Sequence, residues 1–161
     1  MSSYENWIIE PDRVKEFSGN MANEKIVFTN GCYDLIHRGH VKLLNTARSF
    51  GDYLVVGINS DDSVARLKGP GRPLCSAEDR AFVLLNLRAV DYVTVFDEDT
   101  PQELIRKLRP DILVKGDEYA LEEIVGADFQ LSRGAAVERV PMVEGYSTSS
   151  IIEKIREMEK G

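Results

Sequence analysis

Short apolar runs alternate with stretches of helical periodicity along most of this 161-residue chain. Residues 25–29 (KIVFT), 53–58 (YLVVGI), 92–96 (YVTVF), 111–114 (DILV) and 136–140 (AVERV) read as strands, the last ended by Pro141. Between them, residues 39–50 (GHVKLLNTARSF) place Val41, Leu43, Leu44 and Ala47 at helical spacing. Ser76 to Asp79 is an S-x-x-D capping signal ahead of a helix over 80–88 (RAFVLLNLR). In TPQELIRKLRP, Thr100 is expected at the cap, Pro101 at the first helical position, Glu103 closing the box and Pro110 as the stop. A last helix is expected to start near Ser147, with Ile151, Ile152, Ile155 and Met158 along one side. Residues 59–73 (NSDDSVARLKGPGRP) read as a polar loop, and residues 1–24 as an extension with a candidate short helix after Pro11.

This alternation predicts parallel strands joined by right-handed crossovers, with helices on both faces. The near-continuous apolar run YLVVGI suits a sheet covered on both sides. The expected fold is therefore α/β, a Rossmann-like doubly wound parallel sheet of about five strands, held in a single domain over residues 25–161. Ligands of such sheets bind beyond the carboxyl ends of the strands, where strand order reverses. That directs attention to residues 29–40, 58–72, 96–100, 114–119 and 141–148.

Both histidines of the chain fall in the first of these windows, within FTNGCYDLIHRGHVKLL (28–44). Asn30 and Gly31 allow a tight turn after the strand, and His40 sits in the first turn of the next helix. Unpaired N–H groups and the positive dipole end make such a turn an anion site. Gly39 removes a side chain where a phosphate would approach the backbone. Imidazoles at positions i and i+3 can share one side of that turn and donate to phosphoryl oxygens as charge develops. Histidines that merely cap the helix would show the same spacing, so the residues alone leave both roles open.

Composition narrows the function classes. A net charge of −7 disfavours general nucleic-acid binding but leaves room for a local basic pocket. No apolar run approaches the roughly 20 residues that span a bilayer. The start, MSSYENWIIEPDR, lacks the pattern of a secretory signal. Cys32 and Cys75 show no metal or disulfide spacing, so reduced thiols and a cytoplasmic location are expected, with neither nucleic acid nor membrane as partner. Residues 81–90 (AFVLLNLRAV) are apolar on more than one side, which suits a buried helix or a homodimer interface equally. Lys68 and Arg72 stand in a Gly/Pro segment, where they could pair with phosphates or simply meet solvent. Arg80 opens a helix, where a cation opposes the dipole and so needs another reason.

The segment GCYDLIHRGH resembles the G-x-F-D-x-x-H-x-G-H signature of the cytidylyltransferase-like nucleotidyltransferases, with Gly31, Asp34, His37, Gly39 and His40 in register and Tyr33 in place of the usual Phe. EGYSTSSII (144–152) resembles the Ser/Thr helix start that the family uses for β- and γ-phosphates. Most of the chain is similar to the adenylyltransferase of ADP-heptose synthesis, which stands alone in some bacteria and is the C-terminal domain of a bifunctional sugar kinase in others. With no kinase domain alongside, the separate form is expected. The resemblance implies ATP and D-glycero-β-D-manno-heptose 1-phosphate as substrates, and ADP-heptose and pyrophosphate as products. It implies catalytic roles for His37, His40 and Lys68. It assigns nucleotide binding to Thr29, Asn30, Gly31, Tyr33, Gly39, Lys115, Gly116, Asp117, Tyr146, Ser147 and Thr148, and substrate phosphate to Arg72 and Arg80. Mg²⁺ is expected through the nucleotide phosphates, with no residue assigned as its ligand.

Two rival readings stay open. VKGDEY (114–119) departs from the usual VKGGDY and resembles the MGDDW form of glycerol-3-phosphate cytidylyltransferases, which use CTP. Against that rival, Met142 stands where its RTEGIST signature carries Arg. A domain that binds nucleotide without chemistry is the other alternative.

Overall fold

The computed structural model describes residues 4–159, with side chains from residue 6 onward. Five strands form one parallel sheet: β1 (Ile26–Gly31), β2 (Tyr53–Asn59), β3 (Tyr92–Phe96), β4 (Ile112–Gly116) and β5 (Ala136–Val140), in the order β3-β2-β1-β4-β5. The chain steps outward from β1 to β2 and β3, then returns to lay β4 on the other side of β1. The strand order therefore reverses between β1 and β4, which fixes where a ligand crevice must open.

Seven α-helices flank the sheet among the described residues: α1 (Val14–Asn20), α2 (Arg38–Arg48), α3 (Asp61–Lys68), α4 (Ala77–Leu85), α5 (Gln102–Leu108), α6 (Ala127–Ser132) and α7 (Thr148–Met158). The period-2 geometry of strands splits their apolar residues between two cores. Val27, Leu54, Val56, Ile58, Val93, Ile112 and Val114 face Leu44, Ala47, Ala81 and Leu84 of α2 and α4. Phe28, Val55, Phe96 and Leu113 face Val14, Leu104, Ile105 and Leu108 of α1 and α5 on the other side. Runs such as YLVVGI are continuous because both faces are covered.

Residues 7–9 lie along the outer edge of β3. The Ile9 N–H donates to the Val93 carbonyl at 2.8 Å, Ile8 bridges Val93 in parallel, and Trp7 packs its ring 5.6 Å from that of Tyr92. Ile9 and Val14 are buried. An edge strand presents unpaired backbone groups, and this segment covers those of Val93.

Two expectations about elements need correction. The polar stretch 59–73 is not all loop, because α3 fills Asp61–Lys68. Ser60 caps it by accepting the Ser63 N–H, Asp61 and Asp62 meet its positive end, Arg66 and Lys68 its negative end, and Val64 buries against the sheet. In α5, Pro101 and not Thr100 holds the N-cap position; no side chain caps it, and Glu103 closes no box. The helix ends on Arg109 in the left-handed region at φ 52°. Along α7, Ile151 and Ile152 are half-buried, whereas Ile155 and, at 81%, Met158 are exposed.

Candidate active site

The carboxyl end of β1 delivers the chain into the crevice beside β4. Lys115 on β4 donates from Nζ to the Asn30 carbonyl at 3.0 Å, which fixes the turn to its neighbour strand. Tyr33 then takes a left-handed conformation, φ 50°, and is buried. Burial raises the pKa of its phenol, with a hydrogen bond from Thr29 acting the other way, so the group stays neutral.

Helix α2 starts through its histidines. His37 is the N-cap, and its Nδ1 accepts the Gly39 N–H at 3.1 Å. His40 Nδ1 reaches back to the His37 N–H at 3.4 Å. With its Nδ1 accepting from Gly39, the single proton of a neutral His37 is assigned to Nε2, whereas the His40 ring also hydrogen-bonds the Leu35 carbonyl. The rings stack with centroids 3.8 Å apart. A side chain on Gly39 would place its Cβ 3.0 Å from the His37 ring, so glycine there is what lets the ring sit in its capping position. The helix cap thus fixes the orientation of both rings.

A cavity of about 370 Å³ opens at this point. Of the residues singled out from sequence, Asn30, Gly31, Tyr33, His40, Lys68, Arg72, Lys115, Gly116 and Thr148 line it. His37 and Gly39 stand behind His40. Thr29 is buried beneath Tyr33. Asp117 is off the wall and ties the end of β4 to the chain after β5, accepting the Met142 N–H at 3.0 Å. Tyr146 is exposed outside the cavity, under the Arg38 guanidinium at 6.0 Å. Ser147 caps α7: its hydroxyl accepts the Ser150 N–H at 3.0 Å and is not directed to a ligand. The N–H groups of Thr148 and Ser149 are the ones left toward the cavity, and the Thr148 hydroxyl ties α7 to the Leu35 carbonyl at 3.3 Å.

Arg80 departs from expectation. It is 2% exposed and does not line the cavity. Its Nε donates to the Cys75 carbonyl at 3.1 Å, Nη1 to the Cys32 carbonyl at 2.7 Å and Nη2 to Asp61 at 2.7 Å. A guanidinium engaged at all three nitrogens is a brace between the β1–α2 turn, α3 and α4, so the role of substrate-phosphate ligand is withdrawn. The brace is also the reason a cation tolerates the first turn of a helix.

Sequence reasoning assigned no site role to the wall residues Cys32, Asn59, Asp99, Glu118 and Tyr119, nor to Asp34, which stands in the motif and whose side chain is fully buried beneath the loop that carries Arg72. The electrostatics are mixed. Burial pushes the Lys115 ammonium down to about 8, opposed by Glu118 and Cys32. Burial, and then His37, pushes His40 down to about 4. Lys68 and Arg72 supply cations on the opposite wall. The wall of this partly enclosed pocket carries Lys68, Arg72, Lys115 and the His40 imidazole alongside Asp34, Asp99 and Glu118, and the cations and imidazole are the groups able to meet phosphate oxygens. The carboxylates on the wall do not gather: among the described residues no group of three or more His, Cys, Asp or Glu could hold a metal ion. The described residues therefore form no cage for Mg²⁺.

The cytidylyltransferase-like family profile matches residues 28–154. The bifunctional protein HldE of Campylobacter curvus is 50% identical over 159 residues, covering 99% of this chain and 33% of the relative. That of Syntrophotalea carbinolica is 59% identical over 130 residues, covering 81% of this chain and 26% of the relative. That of Helicobacter pylori strain G27 is 55% identical over 133 residues, covering 83% and 28%. The chain thus spans a third or less of the length of these curated relatives. Among solved structures, the lipopolysaccharide core biosynthesis protein of Thermoplasma volcanium superposes with a TM-score of 0.59 at 25% identity, covering 77% of this chain and 99% of that one. Pantothenate synthetase of Thermus thermophilus shares the fold, with a TM-score of 0.57 at 18% identity over 81% of this chain and 60% of that one. No helix among the described residues is long and apolar enough to cross a membrane. The stacked histidine pair at the strand-order reversal, the profile match and the relatives lead to one assignment: this chain belongs to the cytidylyltransferase-like family of nucleotidyltransferases.

Proposed function

We propose that the chain transfers the adenylyl group of ATP to D-glycero-β-D-manno-heptose 1-phosphate, giving ADP-heptose and pyrophosphate. The observation that carries this reading is the 50% identity, over 99% of this chain, with a relative named as bifunctional, taken with a cavity lined by His40, Lys68, Arg72 and Lys115. A protein named bifunctional and three times as long fits a transferase domain joined to a second activity. The Thermoplasma neighbour is named for lipopolysaccharide core biosynthesis, which fits a sugar-nucleotide product.

In this reading an oxygen of the sugar phosphate attacks the α-phosphorus of ATP in line. The bond from that phosphorus to the bridging oxygen breaks, and pyrophosphate leaves with the electron pair. The attacking phosphate is already ionised, so no strong base is needed and the work is positioning and charge stabilisation. His40 stabilises the developing charge, and His37 stacks on its ring from behind. Lys68 and Arg72 orient the polyphosphate, and the Thr148 and Ser149 N–H groups receive the departing pyrophosphate. Asn30, Gly31 and Tyr33 form the floor, and Lys115 and Gly116 border the nucleotide on the β4 side. Mg²⁺ would be held by the nucleotide phosphates and would supply charge neutralisation there.

VKGDEY keeps the CTP-dependent glycerol-3-phosphate reading as the rival. Pyrophosphate release is measured with ATP or CTP against heptose 1-phosphate and glycerol 3-phosphate. Turnover only with ATP and the heptose supports the proposal. Turnover only with CTP and glycerol 3-phosphate replaces it, and none with any pair leaves a binding domain.

A further inference from the structure

Asp34 has no assigned part in nucleotidyl transfer, yet it is the most heavily bonded carboxylate near the site. Its side chain is fully buried in the β1–α2 turn. It accepts the Arg72 Nε–H at 2.7 Å, the Leu74 N–H at 2.8 Å and the Cys75 N–H at 2.9 Å. All three donors belong to one loop that follows α3. Earlier in that loop, at Gly69 and Gly71, an added Cβ would meet nothing within 4 Å. The loop stands away from the body of the protein there and is pinned by Asp34 further on.

The pinning has a directional consequence. Arg72 borders the cavity described above and also an adjoining cleft toward α7, and Lys68 and Ser149 border both. A guanidinium that gives Nε to a carboxylate keeps its outer edge, Nη1 and Nη2, for a second acceptor. Among the described residues no protein acceptor takes that edge. Phosphate oxygens match it two at a time.

We propose that Asp34 is a positioning residue that clamps Arg72 along Nε, so that its outer edge, together with Lys68 and the start of α7, grips the polyphosphate of the nucleotide. The clamp rests on the phosphate-binding reading of the cavity but not on which base or sugar is used.

Inorganic tripolyphosphate, which has neither base nor sugar, is the probe, and its affinity is read by titration calorimetry. Asp34→Asn and Arg72→Ala are each expected to weaken binding roughly tenfold or more, and the double variant no further than about twofold beyond Arg72→Ala. Arg72→Lys keeps the charge but not the two-edged fork, and should bind as weakly as Arg72→Ala. It also serves where Asp34→Asn folds poorly, since it leaves the carboxylate in place. Equal loss from Asp34→Asn with and without Arg72 overturns the clamp. So does full affinity in Asp34→Asn or in Arg72→Lys. Should the heptose reading fail while tripolyphosphate binding follows this pattern, the clamp stands and only the substrate changes.

Discussion

The imidazole of His37 lies on that of His40 with ring centroids 3.8 Å apart and planes inclined by 23°. Each ring gives Nδ1 to a backbone N–H of the helix start, so neither can rotate without uncapping α2. Protonating both rings would set two like charges face to face, and burial already disfavours the first charge. At neutral pH the pair is therefore uncharged.

Removing His40 should separate chemistry from binding. His40→Ala is expected to lower turnover by on the order of 10² or more while ATP still binds. His37→Asn is the companion, because Asn is a strong N-cap residue. It should keep the thermal midpoint within a few degrees of wild type and still lose turnover, whereas His37→Ala loses both, the cap being worth about 1 kcal/mol. Pyrophosphate release, calorimetry with ATP and thermal melts check the set. Turnover near wild type in His40→Ala would remove it from the reaction.

The same burial makes stability depend on acid. An unfolded histidine titrates near 6.5, whereas folded His40 titrates at about 4. Between those values the unfolded chain binds the extra proton, so stability falls as pH drops through 6.5 and levels off below about 4. For this partly solvated ring the contribution is on the order of 2 kcal/mol. Chemical unfolding at pH 7 and pH 4.5 should show a larger drop in wild type than in His40→Phe. An equal drop would place the acid sensitivity elsewhere.

How much of this was legible in the sequence depended on the range of the interactions. The five strands and the histidine turn follow from local patterns: continuous apolar runs, a glycine where the backbone crowds a ring, a Ser/Thr helix start. Helix α3 was hidden by the Gly/Pro cluster behind it, although Ser60, Asp61 and Asp62 already spelled its cap and first turn. Helix α6 has six residues, too short for periodicity to register. Arg80 carried a clue, a cation at the wrong end of a helix, but its three acceptors come from separate parts of the chain. Asp34 stood in the motif with no visible partner, because Arg72, Leu74 and Cys75 reach it only once α3 has folded.

Arg80 should behave as structure. Arg80→Met would leave Asp61 and the Cys32 and Cys75 carbonyls without their donor. Breaking a buried pair typically costs about 3–5 kcal/mol. Asp61 is half exposed and can recover water, so roughly 3 kcal/mol is expected, a fall of about 6–12 °C in thermal midpoint. Melts without ligand read this directly. An unchanged midpoint with weakened substrate affinity would return Arg80 to the phosphates.

Lys115 sets stability against binding. Its Nζ is closely surrounded by protein and bonded to the Asn30 carbonyl, and its pKa is pushed down to about 8. Below pH 8 both folded and unfolded chains carry this proton, so the cost of burying the charge is fully present at neutral pH. Between about 8 and the ordinary lysine value near 10.4 only the unfolded chain keeps it, and stability attributable to this group rises with pH. Allowing for solvent at the cavity wall, the cost is on the order of 2 kcal/mol. Lys115→Met removes that charge but leaves the Asn30 carbonyl without its donor, which takes back about 1 kcal/mol. The variant should melt at or slightly above wild type at pH 7, and lose that advantage as the buffer approaches pH 10. Nucleotide binding should move the opposite way. A polyanion beside Lys115 raises its pKa, so binding near pH 8 takes up a proton, and wild-type affinity for ATP falls as pH climbs past 8. Calorimetry in buffers of different ionisation heat measures that uptake. Proton uptake in wild type that disappears in Lys115→Met locates the linkage at this ammonium, and equal uptake in both would show that Lys115 does not face the phosphates.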